Sequence, residues 1–216
     1  MHNSIQSQSV AIAQRSDAAL LALCLRHRES THTAETMAQQ LLDRFGSLYG
    51  VFGATDTQVQ QIKGMGPGRV AKIRAMHEVQ QRIVSQPIYN SPELNSSEAV
   101  EVFLQSRLQY AQNECFAVIF LDSQHHFLHY QQVFQGTIDR SPVYPRVIVQ
   151  LAMQYNAAGV ILAHNHPSGN VEPSEADLHI TQILKDALGL VDVKILDHFV
   201  IGAGQAVSFR ARGLIT

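Results

Sequence analysis

The chain has 216 residues, 45% of them hydrophobic and 16% charged, with a net charge of −2; this suits one or two folded domains with real cores and excludes a disordered or fibrous protein. No apolar run reaches the ~20 residues that span a bilayer, and the opening MHNSIQSQSVAIAQRS lacks the basic-then-apolar order of a signal peptide, so a soluble cytoplasmic protein is expected. Two cysteines, Cys24 and Cys115, are too few for a thiolate metal cluster or a disulfide scaffold and are expected to be buried free thiols.

The first half reads as short helices. Asp17 is placed to cap one that carries Leu20, Leu21, Leu23 and Leu25. A second is expected from Thr33 to Phe45, ending at Gly46, where glycine can take the left-handed conformation. A third covers Asp56 to Ile62 and a fourth Arg69 to Val84, with Lys63-Gly64-Met65-Gly66-Pro67-Gly68-Arg69 between them. That segment resembles a helix-hairpin-helix. Its glycines let the chain pass close to a phosphate, and the helix behind it offers N–H groups and a positive dipole end. Lys63, Gly64, Gly66, Gly68, Arg69 and Lys72 are the candidate contacts to a nucleic-acid backbone, and such contact would be independent of base sequence. The competing reading is a tight turn with a solvated basic face. Charge leans the same way: residues 1–89 carry nine Lys/Arg against six Asp/Glu, and residues 90–216 seven against twelve.

SQPIYNSPELNSS breaks the periodicity and reads as a linker. Beyond it, strands and helices interleave. Glu98 to Tyr110 is an amphipathic helix, and Cys115 to Leu121 an apolar strand of the kind buried on both faces. His125 to Val133 returns as an alternating strand, making a hairpin. Pro145 opens a helix to Asn156, Gly159 to Ala163 is a second buried strand, and Pro173-Ser174 begins a helix to Leu188. Val191 to Ile201 and Ala206 to Phe209 are the last strands. This alternation points to an α/β sandwich with its site at strand ends.

The chemistry concentrates in HNHPSGNVEPSEAD, residues 164–177. At a strand end, residues i and i+2 point to one side, so His164 and His166 can offer two imidazoles to one point. Ser174 and Asp177, three apart on the first turns of a helix, share a face. Two imidazoles and a carboxylate with a fourth position left to water make the open arrangement of a catalytic zinc site, which brings the pKa of water to about 7. A general base must still move the proton, and spacing alone does not select it. Ser174 is placed to steady an oxyanion. Ser-x-x-Asp before a helix is equally a capping arrangement, and one serine can serve both ends.

HxH, seven residues and SxxD resemble the JAMM (MPN+) signature, and LAHNHPSGNVEPSEAD, FAVIFLD, FQGTIDRS and LDHFVIG resemble the bacterial RadC proteins. The likeness covers about residues 16–216. It implies a JAMM/MPN (cytidine-deaminase-like) α/β/α sandwich over residues 96–216, joined by a linker over 87–95 to a small all-α helix-hairpin-helix domain over 1–86. It implies one zinc ion on His164, His166 and Asp177, Glu114 as the base, and Ser174 as the residue that stabilises the tetrahedral intermediate. Three functions are consistent with this: a zinc-dependent peptidase or isopeptidase acting on a protein or peptide, a metal-dependent nuclease, and a DNA-binding protein with structural zinc. The first uses every residue named. His198, in LDHFVIG, is expected to border the site or to sit hydrogen-bonded in the core.

Overall fold

Hydroxyl side chains start the helices of the first half. In the computed structural model, which describes residues 12–27, 30–90, 97–136, 143–202 and 204–215, Ser16 caps α1 (Asp17–Leu25), Ser30 caps α2 (Thr31–Phe45) and Ser47 caps α3 (Leu48–Gly53), each accepting a backbone N–H of the first turn. Thr55 and Gln58 form a capping box on α4 (Asp56–Gln60). α5 (Pro67–Asn90) begins at its proline, whose missing N–H is not needed there. On α2, Ala34, Met37, Ala38 and Leu41 recur at helical spacing and are all buried, against Leu21, Leu25, Val51, Val59 and Ile73 of the other helices.

Four expectations need correction here. Ser16, not Asp17, is the cap of α1, and Asp17 occupies the first turn. Cys24 is exposed, because the buried stripe of α1 runs through Leu21, Ala22 and Leu25 and leaves Cys24 on the outer face; Cys115 is buried as expected. Helix α3 went unread, since two of its six residues are glycines. Gly50 is there for space: a Cβ would fall 1.9 Å from the carbonyl oxygen of Phe45. Finally, α5 continues past Val84 to Asn90, through part of the expected linker. Ser85 and Ile88 are buried, with the Ser85 hydroxyl donating to the Gln81 carbonyl and accepting from Arg107, and this packing holds the helix beyond the point where its composition turns loop-like. The rest of that linker, residues 91–96, and the segment 137–142, which takes in the TIDRS of FQGTIDRS, lie outside the described residues, as do residues 1–11.

The chain forms two compact units, divided after Gln80. In the second, α6 (Ser97–Leu108) leads into β1 (Glu114–Leu121) and β2 (Phe127–Gly136), then α7 (Pro145–Gln154), β3 (Gly159–Asn165), α8 (Glu175–Gly189), β4 (Lys194–Gly202) and β5 (Gln205–Ser208). The sheet order is β2-β1-β3-β4-β5. β3 and β4 are parallel, which requires a crossover, and α8 supplies it; the other pairs are antiparallel. β2 begins at Phe127 rather than His125, because His125 has φ 64° and belongs to the turn.

Alternation sorts the sheet into two cores. Cys115, Ala117, Ile119, Ile161 and Ala163 face Phe103 and Leu104 of α6. Phe116, Val118, Phe120, Val160 and Leu162 face Ile148 and Ala152 of α7 and Leu184 and Leu188 of α8. Helices on both faces of a mixed sheet, with a separate helical unit before it, match the expected architecture. Among the described residues, no helix is long and apolar enough to cross a membrane.

Candidate metal centre

The even-numbered residues of β1 and β3 define the face on which the site is built. β1 and β3 pair with Phe116 opposite His164, and Glu114 stands two residues before Phe116, on the same face of β1. The ladder does not stop at Asn165: the His166 N–H donates to the Ile201 carbonyl at 2.8 Å, so both histidines sit on the frame of the sheet. Asp177 comes from the first turn of α8, under a capping box in which Ser174 and Asp177 each accept the other's backbone N–H. The loop between them turns at Gly169, with φ 83°. Gly202 lets that loop lie against β4, since a Cβ there would meet the Gly169 carbonyl oxygen at 2.7 Å.

Three side chains converge. His164 Nε2 lies 3.1 Å from His166 Nε2 and 3.1 Å from Asp177 Oδ1, and His166 Nε2 lies 3.6 Å from Asp177 Oδ2. One donor atom from each lies within 4.8 Å of the others, and this is the group among the described residues with the composition to hold a metal ion. Ligand atoms about 2.0–2.1 Å from a tetrahedral zinc stand roughly 3.3 Å apart, so the two shorter separations fit such an ion. The second nitrogens are already engaged: His166 Nδ1 donates to the Asn170 carbonyl at 2.7 Å, and His164 Nδ1 meets His198 Nε2 at 2.9 Å. With Nδ1–H used in this way, His166 turns a lone pair toward the common point.

The electrostatics agree. Burial alone would raise the Asp177 carboxyl, but the close imidazoles of His164 and His166, with the Ser174 hydroxyl, outweigh it and hold the group well below the usual carboxylate range. The hydrogen bond to Asp177 raises His166 above its ordinary value against the effect of burial, with smaller help from the Asn170 carbonyl and from Glu114. Positive charge is thus drawn to the point where the three groups meet. Burial pushes His198 well below the ordinary imidazole range, so its ring is neutral.

Glu114 is half-buried at the start of β1, near enough to His166 to act on it. Its position is fixed from the other face of β3 by Asn165. Asn165 Oδ1 accepts the Cys115 N–H at 2.8 Å, and its Nδ2 donates to the carbonyls of Asn113 at 3.2 Å and Ala111 at 3.3 Å. Ser174 does serve as the cap, and its hydroxyl donates to Asp177 Oδ2 at 2.7 Å, aiming the carboxylate. Sequence reading passed over Asn165 and Thr181 and left His198 undecided. A buried asparagine between two ligands and a histidine inside the apolar LDHFVIG were the signals available. The hairpin histidines do not converge: the His126 ring binds Asp122 at 2.9 Å, and His129 stacks on Tyr155.

In the helical unit, the basic hairpin residues divide. Arg69 donates to the carbonyls of Gly64 at 2.7 Å and Leu25 at 3.3 Å, and Lys72 to those of Arg26 at 3.0 Å and Leu25 at 3.5 Å. Both therefore close the C-terminal end of α1. Gly64 has an internal reason, with φ +92° and Met37 Sδ 2.6 Å from where a Cβ would stand. Gly66 and Gly68 have none: nothing lies within 4 Å of a Cβ at either, and they are exposed, as is Lys63.

Residues 94–214 match the family model described as the RadC-like JAB domain. A UPF0758 protein of Methylibium petroleiphilum is 45% identical over 203 residues, covering 94% of this chain and 91% of the relative. One from Idiomarina loihiensis is 45% identical over 200 residues, 93% of this chain and 89% of its own length. One from Vibrio cholerae is 44% identical with the same coverage.

Proposed function

The chain belongs to the family of the RadC-like JAB domain, and on that premise we propose that it is a JAMM-type metal-dependent hydrolase that cleaves an amide bond, as a peptidase or isopeptidase. The observation that carries the reading is the convergence of His164 Nε2, His166 Nε2 and an Asp177 carboxylate oxygen within 4.8 Å, at the end of an interior strand whose neighbour β1 carries Glu114 near His166. These three residues would hold one zinc ion. When bound, zinc supplies Lewis acidity and makes hydroxide available near neutral pH.

The remaining work falls to the chain's own side chains. Glu114 takes a proton from the attacking water and returns it to the leaving nitrogen. Ser174 has one hydroxyl proton, which rests on Asp177 Oδ2. Turning that hydroxyl outward would let it donate to the oxygen of a tetrahedral intermediate, while the Ser174 and Asp177 backbone bonds keep the carboxylate aimed. Asn165 keeps the strand that carries Glu114 in register with the histidines.

A nuclease of the two-metal kind needs a second ion about 4 Å from the first, and the described residues group ligands for one. This favours the amide over the phosphodiester as substrate. The hairpin unit, through Lys63 and the open backbone at Gly66 and Gly68, would add a sequence-independent contact to nucleic acid. The deciding experiment compares zinc-loaded protein with its Glu114→Gln variant on a peptide library and on single- and double-stranded DNA. Wild-type peptide cleavage is expected, reduced about 10²–10⁴-fold in the variant with zinc retained, and DNA left intact. DNA cut by the wild type alone would replace this reading with the nuclease.

A further inference from the structure

Behind His164 lies a line of polar atoms that the proposed hydrolytic chemistry does not use. His164 Nδ1 is 2.9 Å from His198 Nε2, His198 Nδ1 is 2.6 Å from Thr181 Oγ1, and the Thr181 hydroxyl donates to the Asp177 carbonyl at 2.5 Å. Every member is buried: His164 is 3% exposed, His198 0% and Thr181 2%. The line begins at one metal ligand and ends on the main chain of another. Rings cannot readily turn within it. Phe116 stacks on His164 at 6° between planes and meets His198 edge-on, and Phe209 lies 4.5 Å from His198 on another side.

Resting on the metal-centre reading above, we propose that His198 and Thr181 are positioning residues that hold His164 in the one tautomer able to bind the metal. A neutral imidazole has one donor and one acceptor. The Asp177 carbonyl can only accept, so the Thr181 proton points to it and the Thr181 oxygen accepts from His198 Nδ1–H. His198 Nε2 is then left as an acceptor, and it takes the proton of His164 Nδ1–H. His164 Nε2 therefore carries its lone pair toward His166 and Asp177. Run in the opposite direction, the relay would put a proton on His164 Nε2, where the ion must go. The direction of three hydrogen bonds thus decides whether one of the three ligands is available. It also couples the orientation of the His164 ring to the first turn of α8, from which Asp177 projects.

Partners of this kind typically change metal affinity by about 10–100-fold when removed. The test measures zinc affinity of the full chain, with zinc alone as the probe, by competition with a chromophoric chelator. The zinc-loaded proteins are also examined by long-range ¹H–¹⁵N spectra of the imidazoles. His198→Leu fills the space without accepting a hydrogen bond, and it should weaken zinc by about 10–100-fold and abolish the protected Nδ1–H signal of His164. His198→Gln restores an acceptor oxygen toward His164 and a donor toward Thr181, and should recover most of the affinity and the signal. Thr181→Val, nearly isosteric, should give a smaller loss in the same direction, and it decides the matter if changes at position 198 prevent folding. Unchanged zinc affinity in Thr181→Val, or in a folded His198→Leu, overturns the proposal, as does a Gln variant no better than the Leu one. A wild-type protein that takes up no zinc overturns the metal-centre reading itself, a different result from a wild type that binds with variants that bind equally well.

Discussion

Both units of the chain gather polar groups around a glycine-bearing loop, but they use them differently. In the helical unit, cations are turned inward onto the chain's own backbone. Arg69 and Lys72 cap the end of α1, and Arg74 binds Asp56 at 2.7 Å, the Phe52 carbonyl at 2.9 Å and the Ala54 carbonyl. In the sheet unit, the ligand atoms are turned on each other. His164 Nε2, His166 Nε2 and the Asp177 carboxylate share one small volume, while the outer nitrogens are held by His198 and the Asn170 carbonyl. A basic cluster is satisfied by the fold that contains it. Converging lone pairs call for a shared positive charge, a proton or a metal ion, and that contrast separates a structural cluster from a site.

The contrast breaks most visibly at Asp177. Asp177→Ala removes the anionic member and should take the protein from one zinc equivalent to none by metal analysis; a full equivalent retained would end the ligand assignment. Acidity should act in the same direction more gradually. Protons compete for His166, whose pKa is raised in the metal-free protein. Zinc affinity should therefore fall as pH falls, starting above the ordinary imidazole value of about 6.5 and by roughly tenfold per pH unit where one proton is displaced. Chelator competition across that range checks this, and a flat profile would mean that His166 is not a ligand.

In the helical unit the same logic predicts loss of stability without loss of metal. Arg74→Ala orphans carbonyls at the end of α3 and should cost about 2 kcal/mol in denaturant unfolding of the full chain, with zinc affinity unchanged. The smallest effect sharpens the comparison inside the hairpin. Gly64→Ala meets Met37 and a positive φ and should destabilise by about 1–3 kcal/mol, whereas Gly66→Ala should leave stability within about 0.5 kcal/mol. If Gly66→Ala nevertheless weakens binding to duplex DNA, the open glycines serve an outside phosphate; equal binding would assign them to the turn alone.

How much of this could be read from the sequence follows the range of each interaction. His164, His166, Ser174 and Asp177 were legible because strand and helix spacing are local rules that act within fourteen residues. Glu114 was reached only through resemblance, since its place depends on a ladder that joins β1 to a strand some fifty residues on. Asn165, Thr181 and His198 look like ordinary interior residues until the sheet closes, and their partners are distant in the chain or belong to the backbone. The hairpin was visible for its glycines, but nothing in its spelling announces that Arg69 and Lys72 are needed by α1. Helix α3 was hidden because Gly50 answers to the Phe45 carbonyl and not to helix propensity. The end of α5 was hidden because burial of Ser85 and Ile88 overrides a composition that reads as loop.

Asn165 sits between the two histidines yet faces away from them, and its three bonds hold residues 111–115 in place. The arm that bears Glu114 and the strand that bears the ligands are thereby pinned into one mechanical piece at the interior of the sheet. Loosening the carboxylate's end of β1 means breaking the Asn165 bonds that tie it to β3. Inactivation on warming should therefore coincide with unfolding of the sheet, and the Cys115 amide should exchange with deuterium no faster than the slowest amides around it.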